Sequence, residues 1–407
     1  ICACLVGSEM CIRDRNNTMN LLFLMKYFEV GGQEVVTSVL AESFTKQGHN
    51  IVIVSFNPPA RLMKERLPED IPFYVLDGFH YSRKNIKMIR NILEKHRIKV
   101  VINQWGLPYL PILVLRKACG KQNIKIVSVY HNDPGTNARL KIVEEQIKQV
   151  AGKWCKIILK IKWHIFRIAT GVSMHYVYNY SDRYMLLSQS FVSSFKRFAY
   201  LTKNDKVQIL PNPITIPSSD FIFDFLQKRK EVLYVGRIDE NQKRIHRIID
   251  TWALLEASFP DWKLIIVGDG VEKRNLVGKV IQLKLNNVVF EGFQNPSLYY
   301  KRASILMLTS EYEGFGLVVV EAMSFGVIPV VYGSYSAVYD IISDGVDGVI
   351  LPYNKKGYDT EFATEKMKEL MLDADKRNNL AQAAIITSKR YSVESIVDSW
   401  NKLFAKL

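Results

Sequence analysis

Cysteine is scarce: five in 407 residues, with Cys2, Cys4 and Cys11 crowded into the first eighteen. The other two, Cys119 and Cys155, cannot staple a chain of this length, so a disulfide framework is excluded and a reducing cytoplasm fits best. No uninterrupted apolar stretch reaches the roughly 18 residues that a membrane-spanning helix requires. Histidine numbers only seven, and no Cys/His cluster offers a transition-metal site. Neither the G-x-G-x-x-G turn of a nicotinamide enzyme nor the G-x-S-x-G elbow of a hydrolase occurs. Helix-turn-helix, zinc-finger and aromatic RNA-binding patterns are missing too, which removes nucleic acid as a partner.

What is present is a globular composition, 48% hydrophobic and 23% charged, over a length that predicts two domains. The first eighteen residues, Ile1 to Thr18, lack the basic start of a signal peptide and read as a non-native leader before Met19. Beyond them, short apolar runs alternate with amphipathic stretches, the pattern of parallel sheets covered by helices. The runs are Leu21–Met25, Ile51–Ser55, Val100–Asn103, Lys125–Tyr130, Tyr184–Leu187 and Val207–Leu210. A second series follows at Val232–Val235, Leu264–Val267, Val288–Phe290, Ile305–Leu308 and Ile328–Val331. Between the series, Pro211 to Pro217 holds three prolines in seven residues, a stiff linker and not a strand. The expectation is two α/β domains meeting near residue 215 across a cleft.

The net charge of +15 is unevenly shared. Met19 to Pro217 carries 29 Lys+Arg against 13 Asp+Glu, a net of +16, whereas Ser218 to Leu407 carries 24 against 25, a net of −1. One segment of the first half, Lys153 to Arg167, suggests a use for that excess. Helical spacing places Lys153, Lys156, Lys160 and Arg167 on one side and Trp154, Ile157, Ile158, Ile161, Ile165 and Ile168 on the other. Lys162 and His164 fall near the boundary. Two readings stand: an interfacial helix touching anionic membrane, with Trp154 and Trp163 as anchors, or a surface helix packing its stripe on the core.

The strongest chemical signal is Thr309 to Met323, where a buried strand gives way to a Gly-containing loop and then an apolar helix. Unpaired N–H groups at such a helix start form a phosphate site, and Gly314 and Gly316 let a diphosphate approach the backbone. Glu313 and Glu321, eight apart, flank the start, and Glu321 can accept from a ribose diol. Arg237 and Lys243 follow the first strand of the second half, where strand ends line a ligand crevice. Such cations stabilise a departing nucleoside diphosphate without a metal. In the first half, Gly31-Gly32 marks a tight turn after the opening strand, an anion or sugar contact, and His131 sits at another strand end before a polar loop. Asp373-Ala374-Asp375 has the D-x-D spacing of metal-using transferases, but it lies in a Lys-rich helical stretch and reads as a helix junction, so no metal is expected.

Together these residues resemble glycosyltransferase family 4, retaining enzymes of the GT-B fold: two Rossmann-like parallel-sheet domains facing a central cleft. The likeness spans essentially Met19 to Leu407 and is most specific at Glu313–Glu321, which looks like the family's E-x7-E signature. It implies that Glu321 binds the nucleotide ribose and that Glu313 lies by the donor sugar and phosphates. By the same likeness Arg237 and Lys243 hold the diphosphate, although the long spacing and the Gln242-Lys243-Arg244 ending leave open whether Lys243 or Arg244 serves. Gly31-Gly32 corresponds to the loop facing the donor, His131 to the histidine beside the sugar, and Phe293 to a position near the base. Gly314, Phe315, Gly316 and Leu317 complete the donor loop. The implied layout is an acceptor-side domain over 19–215, a nucleotide-sugar-binding domain over 216–390, and a helix over 391–407 that crosses back onto the first. The implied reaction moves a sugar from a UDP- or GDP-linked donor to a glycan or lipid-linked acceptor, as in surface polysaccharide or lipopolysaccharide synthesis, with no cofactor. The alternatives are another enzyme on the same plan, such as a sugar-phosphate synthase or a nucleotide-sugar epimerase, and a basic binding module.

Overall fold

A computed structural model describes residues 18–29, 31–135, 138–218 and 221–407, and the expected leader lies outside these except for Thr18. The chain divides into two compact units. One takes the residues up to Leu187 with Val192–Pro213 and Ile396–Leu407; the other takes Ser188–Phe191 with Ile214–Ser395.

The first unit is built on seven strands: β1 (Asn20–Met25), β2 (Asn50–Ser55), β3 (Phe73–Val75), β4 (Val100–Asn103), β5 (Lys125–Tyr130), β6 (Arg183–Leu186) and β7 (Val207–Ile209). They lie in the order β3-β2-β1-β4-β5-β6-β7, every pairing parallel. Leu22 stands beside Val52 on one side and Val101 on the other, and all three are buried. Near-continuous apolar strands follow from a parallel sheet covered on both faces. The second unit repeats the scheme with β8 (Arg229–Val235), β9 (Lys263–Val267), β10 (Val288–Gly292), β11 (Ala303–Leu308), β12 (Ile328–Tyr332) and β13 (Val349–Leu351), ordered β10-β9-β8-β11-β12-β13. Each sheet reverses its winding once, between β1 and β4 and between β8 and β11. At such switch points the loops diverge from the strand ends and leave room for a ligand.

Proline keeps the 211–217 segment out of both sheets. The segment is nevertheless anchored, since Ile214 N–H donates to the Tyr391 carbonyl at 2.8 Å. The last helix, Val393–Phe404, delivers Trp400 and Phe404 to the first unit, with ring centroids 6.4 and 5.6 Å from that of Phe44. Asn401 adds a hydrogen bond to Gln47 at 2.8 Å.

The basic segment forms the first part of a 28-residue helix, Lys153–Tyr180. One face is committed to the unit: Met174, Val177 and Tyr178 are buried, Trp163 donates to Glu144 at 3.0 Å, and Arg167 donates to the Phe198 carbonyl at 2.8 Å. The stripe of Trp154, Ile157, Ile158, Ile161, Ile165 and Ile168 is not part of that packing. All six are exposed, from 48% at Ile157 to 79% at Trp154. The core-packing reading is thereby corrected, and so is Trp163 as an anchor, because its indole faces the neighbouring helix.

Candidate functional site

In the second unit two loops open side by side, because β8 and β11 are neighbours across the switch point. The first runs from Gly236 to Lys243. Its backbone lies so close to the β9 loop that a Cβ on Gly268, at φ +141°, would meet the Gly236 carbonyl oxygen at 1.8 Å. The second runs from Thr309 to Gly316 and enters the helix Leu317–Ser324 through Gly316 in the left-handed region, φ 87°, with no side chain capping the start. Uncapped N–H groups at a helix start carry partial positive charge and can receive an anion.

Glu313 is buried, and one of its oxygens accepts from both Lys243 Nζ at 2.5 Å and Ser310 Oγ at 2.6 Å. A buried carboxylate–ammonium pair persists only when further hydrogen bonds satisfy it, and Ser310 supplies one. Arg244 points elsewhere: its backbone is left-handed at φ 51° and its guanidinium turns to Glu311, as does that of Arg247 at 2.8 Å. Lys243 is therefore the cation at Glu313. Arg237 is exposed and donates to Gln242 Oε1 at 3.0 Å, while Gln242 donates to the Tyr312 carbonyl at 3.2 Å, so the two loops are tied together.

Glu321 is buried one turn into the helix. Its carboxylate accepts from Thr215 Oγ1 at 2.5 Å and faces the Tyr300 hydroxyl at 3.4 Å. Gly314 and Leu317 are half-buried at the loop and helix start. Phe315 instead turns inward, 5.6 Å from the ring of Tyr391, and only its backbone is left to meet a ligand. Phe293, just past β10, is 68% exposed. Sequence reading did not single out Tyr335. It is fully buried, its hydroxyl has no partner among the described residues, and it lies where a Cβ on Gly316 would meet it at 2.6 Å. Burial, and then the charge of Glu313, push its ionisation far up, so it serves only as a neutral hydrogen-bonding group.

In the first unit the Gly31-Gly32 turn differs from expectation. Gly31 is an extended N-cap at φ −160°, a conformation any residue adopts, and Gly32 opens the helix with free space where a side chain would project. Side-chain bulk, not backbone twist, is what Gly31 avoids, whereas nothing crowds a side chain at Gly32. Glu34 in the same turn lies where a Cβ on Gly31 would meet its carboxylate at 2.5 Å, and burial lifts its carboxyl from 4.5 to about 7. His131 follows β5, and its Nε2 lies 2.6 Å from Gln104 Oε1. Since a carbonyl oxygen has no hydrogen to give, Nε2 carries the proton and Nδ1 presents a lone pair. That Nδ1 is buried without a partner among the described residues, and burial lowers the ring to about 4, so the imidazole is neutral at pH 7. Gln104 follows β4, and its backbone carbonyl accepts from Gln33 Nε2 at 2.9 Å, which ties the ends of β4 and β5 to the start of the helix Gly32–Lys46. Beside them Lys26 is boxed by Tyr27, Phe79 and Trp105, its ammonium 4.7, 4.4 and 5.2 Å from the ring centroids.

Among the described residues no three His, Cys, Asp or Glu side chains gather as a metal would require, and Asp373 caps the helix Ala374–Ser388 through the Lys376 N–H.

Residues 216–387 match the family model for glycosyl transferases group 1, and residues 30–216 match that for Glycosyltransferase Family 4. The amylovoran biosynthesis glycosyltransferase AmsD of Erwinia amylovora is 29% identical over 56% of this chain and 63% of its own. The Campylobacter jejuni GalNAc-alpha-(1->4)-GalNAc-alpha-(1->3)-diNAcBac-PP-undecaprenol alpha-1,4-N-acetyl-D-galactosaminyltransferase is 24% identical over 96% of this chain and 99% of its own. Among solved structures, Anabaena HepE in complex with UDP and glucose superposes with a TM-score of 0.70 at 18% identity, covering 96% of this chain and 100% of the other. A likeness at that identity speaks for the fold alone.

Proposed function

Because the chain belongs to the family 4 glycosyltransferases of GT-B architecture, we propose that it moves a sugar from a UDP- or GDP-linked donor to a glycan or lipid-linked acceptor, with retention at the anomeric carbon, in bacterial surface-polysaccharide assembly. The carrying observation is the Lys243–Glu313 pair set beside the uncapped, glycine-led helix start. As the bond to the sugar breaks, negative charge gathers on the departing diphosphate. Lys243, Arg237 and the helix-start N–H groups supply fixed positive charge where it develops. Glu313 holds the Lys243 ammonium in place, and Glu321 receives the ribose. The neutral His131 offers Nδ1 as an acceptor to a sugar hydroxyl, and the Trp105 box gives the first unit an aromatic wall for acceptor sugar rings. The UDP in HepE and the undecaprenol-linked acceptor of the Campylobacter enzyme support the donor and acceptor classes. The unpaired Cys119 and Cys155 support a cytoplasmic location.

Thermal-shift screening of UDP- and GDP-sugars tests the reading, because a ligand of the folded state raises the melting temperature. One nucleotide class is expected to stabilise, with turnover unaffected by EDTA and with the anomeric configuration of the donor kept in the product by NMR. Lys243→Ala is expected to lower kcat by about 100-fold or more, with a smaller change in donor affinity. Intact turnover in Lys243→Ala removes the assignment.

A further inference from the structure

The exposed stripe on the Lys153–Tyr180 helix is not used by the proposed chemistry, and its geometry is specific. Trp154, Ile157, Ile158, Ile161, Ile165, Ile168 and Val172 recur at steps of three and four, and all are exposed. At about 100° per residue they fall within an arc of roughly 100°, and at 1.5 Å rise the row is about 27 Å long. Isolated surface isoleucines need no explanation, but seven large apolar side chains in one row do. The row is not a spare part of the core, because the opposite face already holds Trp163, Arg167, Met174 and Val177 against the first unit.

Charge selects the occupant. The 28 residues include Lys153, Lys156, Lys160, Lys162 and Arg167 and no carboxylate, within a half of the chain that carries +16. Lys153 and Lys160 project on one flank of the row and Lys162 on the other, all three exposed. A second copy of this helix would set five cations against five. Apolar side chains between long cationic ones instead match an anionic bilayer surface, where the isoleucines enter the acyl boundary and the lysines extend to the phosphates. We propose that this face docks the protein in the plane of an anionic phospholipid membrane, with Trp154 at the headgroup level. The proposal is independent of the donor-site assignment.

Vesicle flotation of the full chain provides the test. Wild type is expected to float with phosphatidylglycerol–phosphatidylcholine vesicles at low salt, and far less with phosphatidylcholine alone or at high salt. Each lysine near an anionic surface multiplies partitioning by roughly fivefold, so Lys153→Glu, Lys160→Glu and Lys162→Glu together should cost more than about a hundredfold. Ile158→Glu, Ile161→Glu and Ile165→Glu together should abolish flotation while leaving the melting temperature and nucleotide binding unchanged, because those side chains are more than half exposed. Three results overturn the proposal: wild type that stays at the bottom at low salt, an isoleucine variant that floats like wild type, or a lipid-free dimer that the isoleucine variant dissociates. The last would assign the face to a second copy.

Discussion

At the scale of single residues, two buried titratable groups of the first unit shift in opposite senses, and both are readable in solution. Glu34 keeps its proton up to about 7 when folded, against 4.5 for an ordinary carboxyl. Its ionisation therefore opposes folding: the contribution is complete below pH 4.5 and is lost as pH climbs toward 7. His131 is lowered from 6.5 to about 4, so its protonation opposes folding and stability falls as pH drops through that range. Between about pH 4.5 and 6.5 the two effects pull against each other. Glu34→Gln should make stability rise more steeply with pH there, by about 1–2 kcal/mol across the interval after allowance for solvent screening. His131→Gln should do the reverse, and denaturant melts at several pH values measure both. Identical pH profiles for both variants and wild type would show that neither group is perturbed. His131 could be located from its place after an apolar run, but Gln104, which orients it, could not. Gln104 comes from a different strand, and only the sheet order brings the two together. The same holds for Tyr335, which reaches Gly316 from beyond the neighbouring strand β12.

At the scale of elements, most strands were legible because a parallel sheet demands continuous apolar runs. The two that were not, Phe73–Val75 and Val349–Leu351, are three-residue strands at sheet edges, where a short run carries little periodicity; the equally short Val207–Ile209 was legible because Leu210 extends its apolar run. The Lys153–Tyr180 helix shows a different limit: spacing gives a face but not what lies against it. The glycine-led helix start at Gly316 was legible in the sequence, while its constraint was not. A side chain there meets both a positive φ and the Tyr335 hydroxyl. Gly316→Ala should cost about 1–3 kcal/mol of stability in the second unit and weaken nucleotide binding. Adding Tyr335→Phe should recover the steric part and leave the backbone part, a difference that a double-mutant cycle by calorimetry resolves. Full recovery would mean that the left-handed turn carries no strain.

At the scale of the whole molecule, the final helix completes the core of the first unit. Trp400 and Phe404 are buried around Phe44, and truncating a buried tryptophan costs about 3–5 kcal/mol. Trp400→Ala should therefore lower the melting transition of the first unit and spare that of the second, as nucleotide-bound and nucleotide-free scans would distinguish. This return of the chain also sets an order of events during synthesis. A ribosome releases the strands of the first unit early, yet residues 214–395 must be made before the helix that covers Phe44 can reach it. At about 5–20 residues per second, those roughly 180 residues take on the order of 10–40 s. For that interval the nascent first unit carries an uncovered apolar patch, and the second unit, whose last strand ends at Leu351, has all its strands before the covering helix emerges.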